Sequence, residues 1–221
     1  MPEVSSEQKL TVNEIYRSIQ GESTFAGLPC VFVRLTFCDL RCSWCDTEYA
    51  FYEGTKKSVE EICGEVEAFK CPLVELTGGE PLLQPGALPL MKQLCDMGHQ
   101  VLLETGGHRD ISRVDARVVR IMDLKCPDSG MSDKNLLENI PHLTKNDEMK
   151  CVLASRADYE WARTKVLEHG LADRVRAVLF SAVFGRIEPH QIVDWILEDN
   201  LPVRFQLQMH KFIWDPKQKG V

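Results

Sequence analysis

The chain has 221 residues, 44% of them hydrophobic, which is enough to bury one substantial core, so a single domain over residues 1–221 is expected. Lys and Arg number 26 against 33 Asp and Glu, a formal charge of −7; this lacks the basic excess that neutralises phosphates, and a small molecule or a protein is the expected partner, not nucleic acid. The opening MPEVSSEQKL holds no apolar signal core, and no uncharged apolar run approaches the ~20 residues that span a bilayer, so no membrane partner and a cytoplasmic location are expected.

In chain order, short runs rich in β-branched and apolar residues predict strands over 30–37, 73–77, 100–104, 118–124, 148–154, 175–181 and 203–208. Helical patterns fall between them. One covers 58–69, where Ser58 and Glu61 form a capping-box signature; another covers 157–170, closed by Gly170; a third covers 187–200, with Ile192, Val193, Ile196 and Leu197 on one face. Strand then helix, repeated, means parallel strands with crossover helices. The reading is an α/β fold, a partial (β/α) barrel of roughly six to seven parallel strands, because a full eight-fold barrel typically needs about 250 residues. A doubly wound open sheet is the alternative.

Polar residues gather after the C-terminal ends of these strands: the cysteine loop, GGEP (78–81), TGGH (105–108), DLKCP (123–127), Ser181 and MHK (209–211). In parallel α/β folds that edge is where sites assemble, so the six stretches are expected to converge on one cleft.

Nine cysteines are present. In a reducing compartment thiols serve as small core residues, catalytic groups or metal ligands. Cys30, Cys63, Cys95 and Cys151 sit in apolar periodic segments and Cys71 in a turn before a strand, and all five read as core. Cys38, Cys42 and Cys45 differ. Their C-x3-C-x2-C spacing lies in a loop directly after a strand, and Asp39, Arg41, Ser43 and Asp46 make the segment too polar for burial. Structural zinc and electron-carrying iron–sulfur clusters usually take four ligands, so three thiolates leave one position open to a substrate or cofactor. Cys126, beside Pro127, would complete a four-ligand zinc or iron–sulfur site instead.

C-x3-C-x-aromatic-C, with Trp44 as the aromatic, resembles the signature of radical S-adenosylmethionine enzymes, and GGEP resembles their methionine-binding motif. Together with VNEIYRSIQGES (12–23), Arg34, CDT (45–47), TGGEP (77–81), ETGG (104–107), DLK (123–125) and QMHK (208–211), these motifs resemble the 7-carboxy-7-deazaguanine synthase family from about residue 12 onward. Position 23 is serine where that family more usually has glycine, and ETGGH stands in place of the commoner ETNG or ETSG.

The resemblance implies a [4Fe-4S] cluster on Cys38, Cys42 and Cys45, with S-adenosyl-L-methionine on its open iron. It implies a lyase reaction that contracts 6-carboxy-5,6,7,8-tetrahydropterin to 7-carboxy-7-deazaguanine with loss of ammonia, on the route to queuosine or another deazapurine. Cofactor contacts are implied for Trp44, Cys45 and Asp46, for Gly78, Gly79 and Glu80, for Asp123, Leu124 and Lys125, and for Ser181, Ala182, Val183 and Phe184. Substrate contacts are implied for Ile19, Gln20, Gly21 and Glu22, for Arg34, Thr77 and His210, and for the terminal Val221. Thr47 is implied as the one protein ligand of a Mg2+ shared with the substrate carboxylate; on its residues alone it also reads as a turn-forming threonine. An electron donor such as flavodoxin or ferredoxin, and a second copy in a homodimer, are the implied partners. Two alternatives stand beside this reading: a glycyl-radical activase of the same superfamily, against which IQGE and QMHK speak, and a non-catalytic zinc- or iron–sulfur-binding module.

Overall fold

The strand-forming runs all enter one sheet. In this computed structural model, which describes residues 9–221, the strands are β1 (Leu10–Ile19), β2 (Pro29–Leu35), β3 (Thr55–Lys57), β4 (Leu73–Gly78), β5 (Gln100–Thr105), β6 (Val119–Asp123), β7 (Glu148–Leu153), β8 (Ala177–Ala182) and β9 (Arg204–Phe205). Their order is β3-β1-β2-β4-β5-β6-β7-β8-β9. From β2 to β9 every neighbour is parallel, as the repeated strand–helix pattern requires. β1 and β3 are antiparallel additions beyond β2 that the apolar-run criterion misses. In β1, LTVNEIYRSI, Asn13, Glu14 and Arg17 break the apolar pattern, and most of the strand is half-buried. The expected strand over 203–208 shrinks to Arg204 and Phe205; just beyond them Gln206 N–H still donates to Phe180 O at 2.9 Å while its side chain accepts from Ser23 N–H.

The helices are α1 (Val59–Ala68), α2 (Ala87–Asp96), α3 (Arg156–Glu168), α4 (Leu171–Arg174), α5 (Pro189–Glu198) and α6 (His210–Ile213). The capping box of α1 forms as read: Ser58 Oγ accepts from Glu61 N–H at 3.2 Å, and Glu61 Oε2 accepts from Ser58 N–H at 2.7 Å. α2 gave no start signal, since it is preceded by Gly86 without a capping side chain and carries Pro89 in its first turn. Among the described residues no helix is long and apolar enough to cross a membrane.

Alternate strand residues point to opposite faces. One set, with Val31, Val33, Leu35, Val74, Leu76, Val101 and Leu103, packs under Ile62, Val66, Leu90, Met91 and Leu94 of the helices in the main core. The other set forms a smaller cluster of Cys30, Phe32, Leu73, Leu102, Val119 and Ile121 on the inner face. Continued toward the strand C-termini, the same inner parity brings up Arg34, Glu75, Thr77, Glu104, Asp123 and Lys150, so the inner face passes from apolar to charged.

In a flat sheet seven spacings of about 4.8 Å would hold β1 and β9 ~34 Å apart. Instead Met209 N–H donates to Gly21 O at 2.9 Å, and Ser23 N–H donates to Gln206 Oε1 at 2.8 Å. The sheet is therefore curled, and the segments following its first long strand and its last strand meet without strand pairing between them. This is a partial barrel whose lumen is the inner face.

Candidate active site

Beyond β2 the chain turns sharply into the cysteine loop. Phe37 takes a positive φ of 79°, its N–H donating to Ala50 O at 3.0 Å, a backbone state sparsely used by bulky residues and enriched at functional sites. Cys38, Cys42 and Cys45 follow, all free and half-buried. Burial pushes the Cys38 and Cys42 thiols up, and at Cys42 the Lys125 ammonium works against that rise. Ser43 anchors the far side of the loop, its N–H and hydroxyl donating to Ser129 O and Asp128 O at 3.0 and 2.8 Å.

Cys126 does not join these thiols. It is 1% exposed, packs in the main core, and its sulfur lies against Cys151 and Leu124 O. Cys30, Cys63, Cys71 and Cys151 are core residues as expected, while Cys95 is only half-buried on α2. Three cavity-side thiols with no fourth form a donor set that fits a cluster with one open iron.

The GGEP turn explains its glycines by close approach. A Cβ on Gly78 would strike Leu35 O, and one on Gly79 would strike Phe37 O and come within 2.9 Å of Cys38 Cβ. Gly79 and Glu80 N–H groups donate to Leu35 O and Phe37 O at 3.1 and 2.8 Å, stitching this turn to the root of the cysteine loop. Glu80 is fully buried, and burial raises its carboxyl; the Thr105 hydroxyl and the Leu82 and Gly106 N–H groups satisfy it.

All of this opens on one cavity of about 970 Å³. Of the expected cofactor residues, Trp44, Cys45, Asp46, Gly78, Gly79 and Glu80 line it, as do Asp123, Lys125, Val183 and Phe184. Leu124, Ser181 and Ala182 do not: Leu124 turns into the core, and Ala182 packs against it. Ser181 Oγ is nonetheless buried without a hydrogen-bond partner, an unpaired polar atom of the kind a polar ligand satisfies, and Asp123 Oδ1 has only the Lys150 ammonium, 3.5 Å away. Every expected substrate residue, Ile19 to Glu22, Arg34, Thr77, His210 and Val221, lines the same cavity.

Arg34 is held before any ligand arrives. Its Nε donates to Glu14 Oε1 at 2.8 Å and its Nη2 to the Tyr16 hydroxyl at 2.7 Å, while the Tyr49 hydroxyl donates to the same Glu14 oxygen at 2.8 Å. The Tyr16 and Tyr49 rings stand 5.8 and 5.7 Å from the guanidinium carbon. Burial pushes the Tyr16 hydroxyl up to about 12, so it stays a neutral phenol.

Across the lumen, Lys150 bridges Glu22 at 3.1 Å, Asp123 at 3.5 Å, and Glu104. Burial favours its neutral amine, but those three carboxylates outweigh burial and keep it protonated. Burial also opposes ionisation of Glu22 and Asp123; Lys150 and Gln208 hold Glu22 below the usual carboxylate range, and Lys125 and Lys150 do the same for Asp123. Glu75, hydrogen-bonded by Gln20, has no such cation to itself, and burial followed by the Glu104 charge raises it well above that range. Burial lowers His210.

IQGE and QMHK interlock: besides the Met209–Gly21 bond, Gln208 Nε2 donates to Glu22 Oε1 at 2.9 Å, and Lys211 pairs with Asp46 at 2.7 Å. Thr47 is the N-cap of a short 3-10 turn, Glu48–Ala50, yet its hydroxyl makes no capping bond; its nearest polar partner is Cys45 Sγ at 3.8 Å. That leaves a hard oxygen facing the cavity, a fit for Mg2+.

Sequence reasoning passed over Glu75, Glu104 and Lys150, although a charge inside an apolar strand run was a usable signal. It also passed over Tyr16, Tyr49 and the tail residues 215–220, which line the same cavity.

A sequence profile described as the Radical SAM superfamily matches residues 32–125, from β2 through DLK. Curated proteins named 7-carboxy-7-deazaguanine synthase are similar over nearly their whole length. The protein from Koribacter versatilis is 48% identical, covering 96% of this chain and 100% of its own; that from Chlorobaculum tepidum is 48% identical, covering 99% and 100%; that from Thermoplasma acidophilum is 37% identical, covering 93% and 97%. The crystal structure of QueE from Escherichia coli shares the fold, with a TM-score of 0.76 at 21% identity over 91% of this chain and 95% of that one. With its C-x3-C-x2-C loop, GGEP turn and interlocked IQGE and QMHK segments around one cavity, the chain belongs to the 7-carboxy-7-deazaguanine synthase family of radical SAM enzymes.

Proposed function

We propose that the chain converts 6-carboxy-5,6,7,8-tetrahydropterin to 7-carboxy-7-deazaguanine with loss of ammonia, in queuosine or related deazapurine synthesis. The observation that carries this is one cavity with three half-buried thiols on one side and a pre-held guanidinium with an amide-reading carboxylate on another. When bound, a [4Fe-4S] cluster and S-adenosyl-L-methionine supply one-electron, hydrogen-abstracting chemistry.

Cys38, Cys42 and Cys45 hold the cluster, and Cys126 takes no part. Trp44, Cys45 and Asp46, with Gly78, Gly79 and Glu80, cradle the cofactor along the loop and turn. Asp123 and Lys125, with Val183 and Phe184, bind its other end through groups that face the cavity, while Leu124, Ser181 and Ala182 lie behind that lining. Arg34, fixed by Glu14 and Tyr16, orients the substrate carboxylate through its free donors. Glu22, with Ile19, Gln20 and Gly21, accepts from the N–H groups of the pterin amide edge. Thr77, His210 and Val221 complete that wall. The Thr47 hydroxyl ligates Mg2+ together with the substrate carboxylate.

The electron comes from a flavodoxin- or ferredoxin-type donor, and the chain works as a homodimer. Both sheet edges are short, three and two residues, so strand pairing gives no basis for the dimer. Exposed Phe212 and Ile213 on α6 and nearby Leu207 supply apolar surface instead.

Anaerobic turnover of the reconstituted protein with the carboxytetrahydropterin, with and without Mg2+, tests this reading. Deazaguanine product, faster with Mg2+, is expected. Formation of 5′-deoxyadenosine as the only product, with no deazaguanine, overturns it and favours the activase.

A further inference from the structure

We propose that His108 and Arg109 clamp the cysteine loop in its ligating shape through Asp39, and that this clamp sets how firmly the chain retains its iron–sulfur cluster. The inference rests on the reading of Cys38, Cys42 and Cys45 as cluster ligands. Asp39 directly follows Cys38, and its carboxylate is gripped at both oxygens. His108 Nε2 lies 2.7 Å from Oδ1, and Arg109 Nη2 bonds Oδ2. Both partners stand 69 and 70 residues away in sequence, on the loop after β5, so the contact reaches over the GGEP turn of the intervening β4.

The other face of the imidazole is equally placed. His108 Nδ1 is buried without a hydrogen-bond partner and lies 3.6 Å from Glu80 Oε2; the ring is 7% exposed and the Glu80 side chain 0%. The Thr105 hydroxyl and the Gly106 and Leu82 N–H groups fix Glu80 at 2.9, 2.8 and 3.0 Å. The imidazole is thus wedged between a rigid carboxylate inside and the loop outside.

The stretch it steadies has little other polar support. Between Phe37 and Ser43, Arg41 bonds mostly back onto the loop itself, to Cys38 O and Leu40 O at 2.8 and 2.6 Å. Its outward polar contacts, to Met131 Sδ and the Tyr52 hydroxyl, are both 3.4 Å; its guanidinium also stacks on the Phe51 ring at 4.4 Å, and Leu40 is buried, so packing shares in holding the stretch. The Asp39 fork is the charge-assisted tie; its Arg109 arm faces solvent, with the Arg109 and Asp39 side chains 42% and 41% exposed, so the buried His108 carries more of the hold. Cys38 sits one peptide from it.

The test uses anaerobically reconstituted holoprotein of the wild type, D39N, H108A and the D39N/H108A double variant. Each is challenged with excess iron chelator while the visible absorbance of the cluster is timed, and the melting temperature of each apo-protein is measured beside it. D39N and H108A release iron about 10- to 100-fold faster than wild type, the span found for groups that orient metal ligands. Their apo-proteins melt with the wild type, and the double variant is no faster than the worse single one, because the contact H108A removes is one of the two that D39N already weakens. Wild-type release from both single variants overturns the clamp, as do additive effects or an apo melting temperature that falls in step with release. H108Q keeps a side-chain N–H within reach of Asp39 and serves if H108A does not fold: release slower than D39N supports the clamp, and release equal to it counts against it. If wild-type protein takes up no iron, the ligand reading fails, and not the clamp alone.

Discussion

His210 stands where a side chain on residue 21 would have to go: a Cβ there would lie 2.5 Å from His210 Nδ1 and 3.2 Å from its backbone nitrogen. Gly21→Ala therefore forces IQGE and QMHK apart. It is expected to destabilise the fold by about 1–3 kcal/mol, the usual range for overpacking. It also loosens the wall formed by Glu22 and Gln208. Thermal unfolding together with KM for the pterin measures both effects.

Arg34 is fixed for a planar, two-pronged partner. Arg34→Lys keeps the charge but loses the fork and its bonds to Glu14 and Tyr16. Loss of charge-assisted hydrogen bonds of about 1.5–3 kcal/mol predicts a fall in kcat/KM of roughly 10- to 150-fold, seen mainly in KM. An analogue lacking the carboxylate is expected to bind both proteins alike.

At Thr47 the hydroxyl is the whole issue. Thr47→Ser keeps the oxygen and is expected to keep the response to Mg2+; Thr47→Val keeps the shape and is expected to abolish it. Turnover titrated with Mg2+ separates the two.

Glu75 makes stability fall with rising pH. Its carboxyl is raised in the folded protein by burial and by Glu104, so the folded state holds a proton that the unfolded chain releases near pH 4.5. The stabilisation is full below that pH and is lost progressively as pH climbs through the folded value. Glu75→Gln removes the dependence. The gap between its melting temperature and that of the wild type is expected to widen in the variant's favour from pH 5 to pH 8, and a constant gap would contradict the assignment.

Ser23 is buried at φ 64°, in the left-handed region, where its hydroxyl recovers part of the strain by accepting from Phe25 N–H at 3.1 Å. Glycine is free of that strain, about 1–2 kcal/mol. Denaturant titration is expected to rank Ser23→Gly at or above wild type and Ser23→Val lowest.

The parallel strands were legible because one face packs under the helices and the other is apolar over much of its length, which leaves nearly continuous apolar runs; the capping box of α1 was legible because Ser58 and Glu61 act within one turn. The cysteine loop could be read from spacing and polarity, but these left Cys126 open as a fourth ligand, and only its burial in the main core sets it apart from the three. β1 could not be read as an apolar run, since its inner face carries Glu14 and Tyr16 to serve Arg34. Glu75, Glu104 and Lys150 were passed over for the opposite reason. Each is one charge in an apolar stretch, and the partners that justify it are far away in sequence: Lys150 reaches Glu104 46 residues and Glu22 128 residues back. Thr47 was a candidate only through family resemblance, because on its residues alone a threonine after an aspartate reads first as a turn.

The bonds that bring the two ends of the curled sheet together join residues as much as 183 and 186 positions apart. Contacts of that separation demand the greatest loss of chain freedom and form late. The cysteine loop and the GGEP turn sit on strands that can assemble from the first half of the polypeptide. The part of the cavity lining around Glu22 needs residues 206–211 as well. The cavity is therefore closed by contacts between the two ends of the described chain, and neither residues 20–23 nor residues 206–211 shape it without the other.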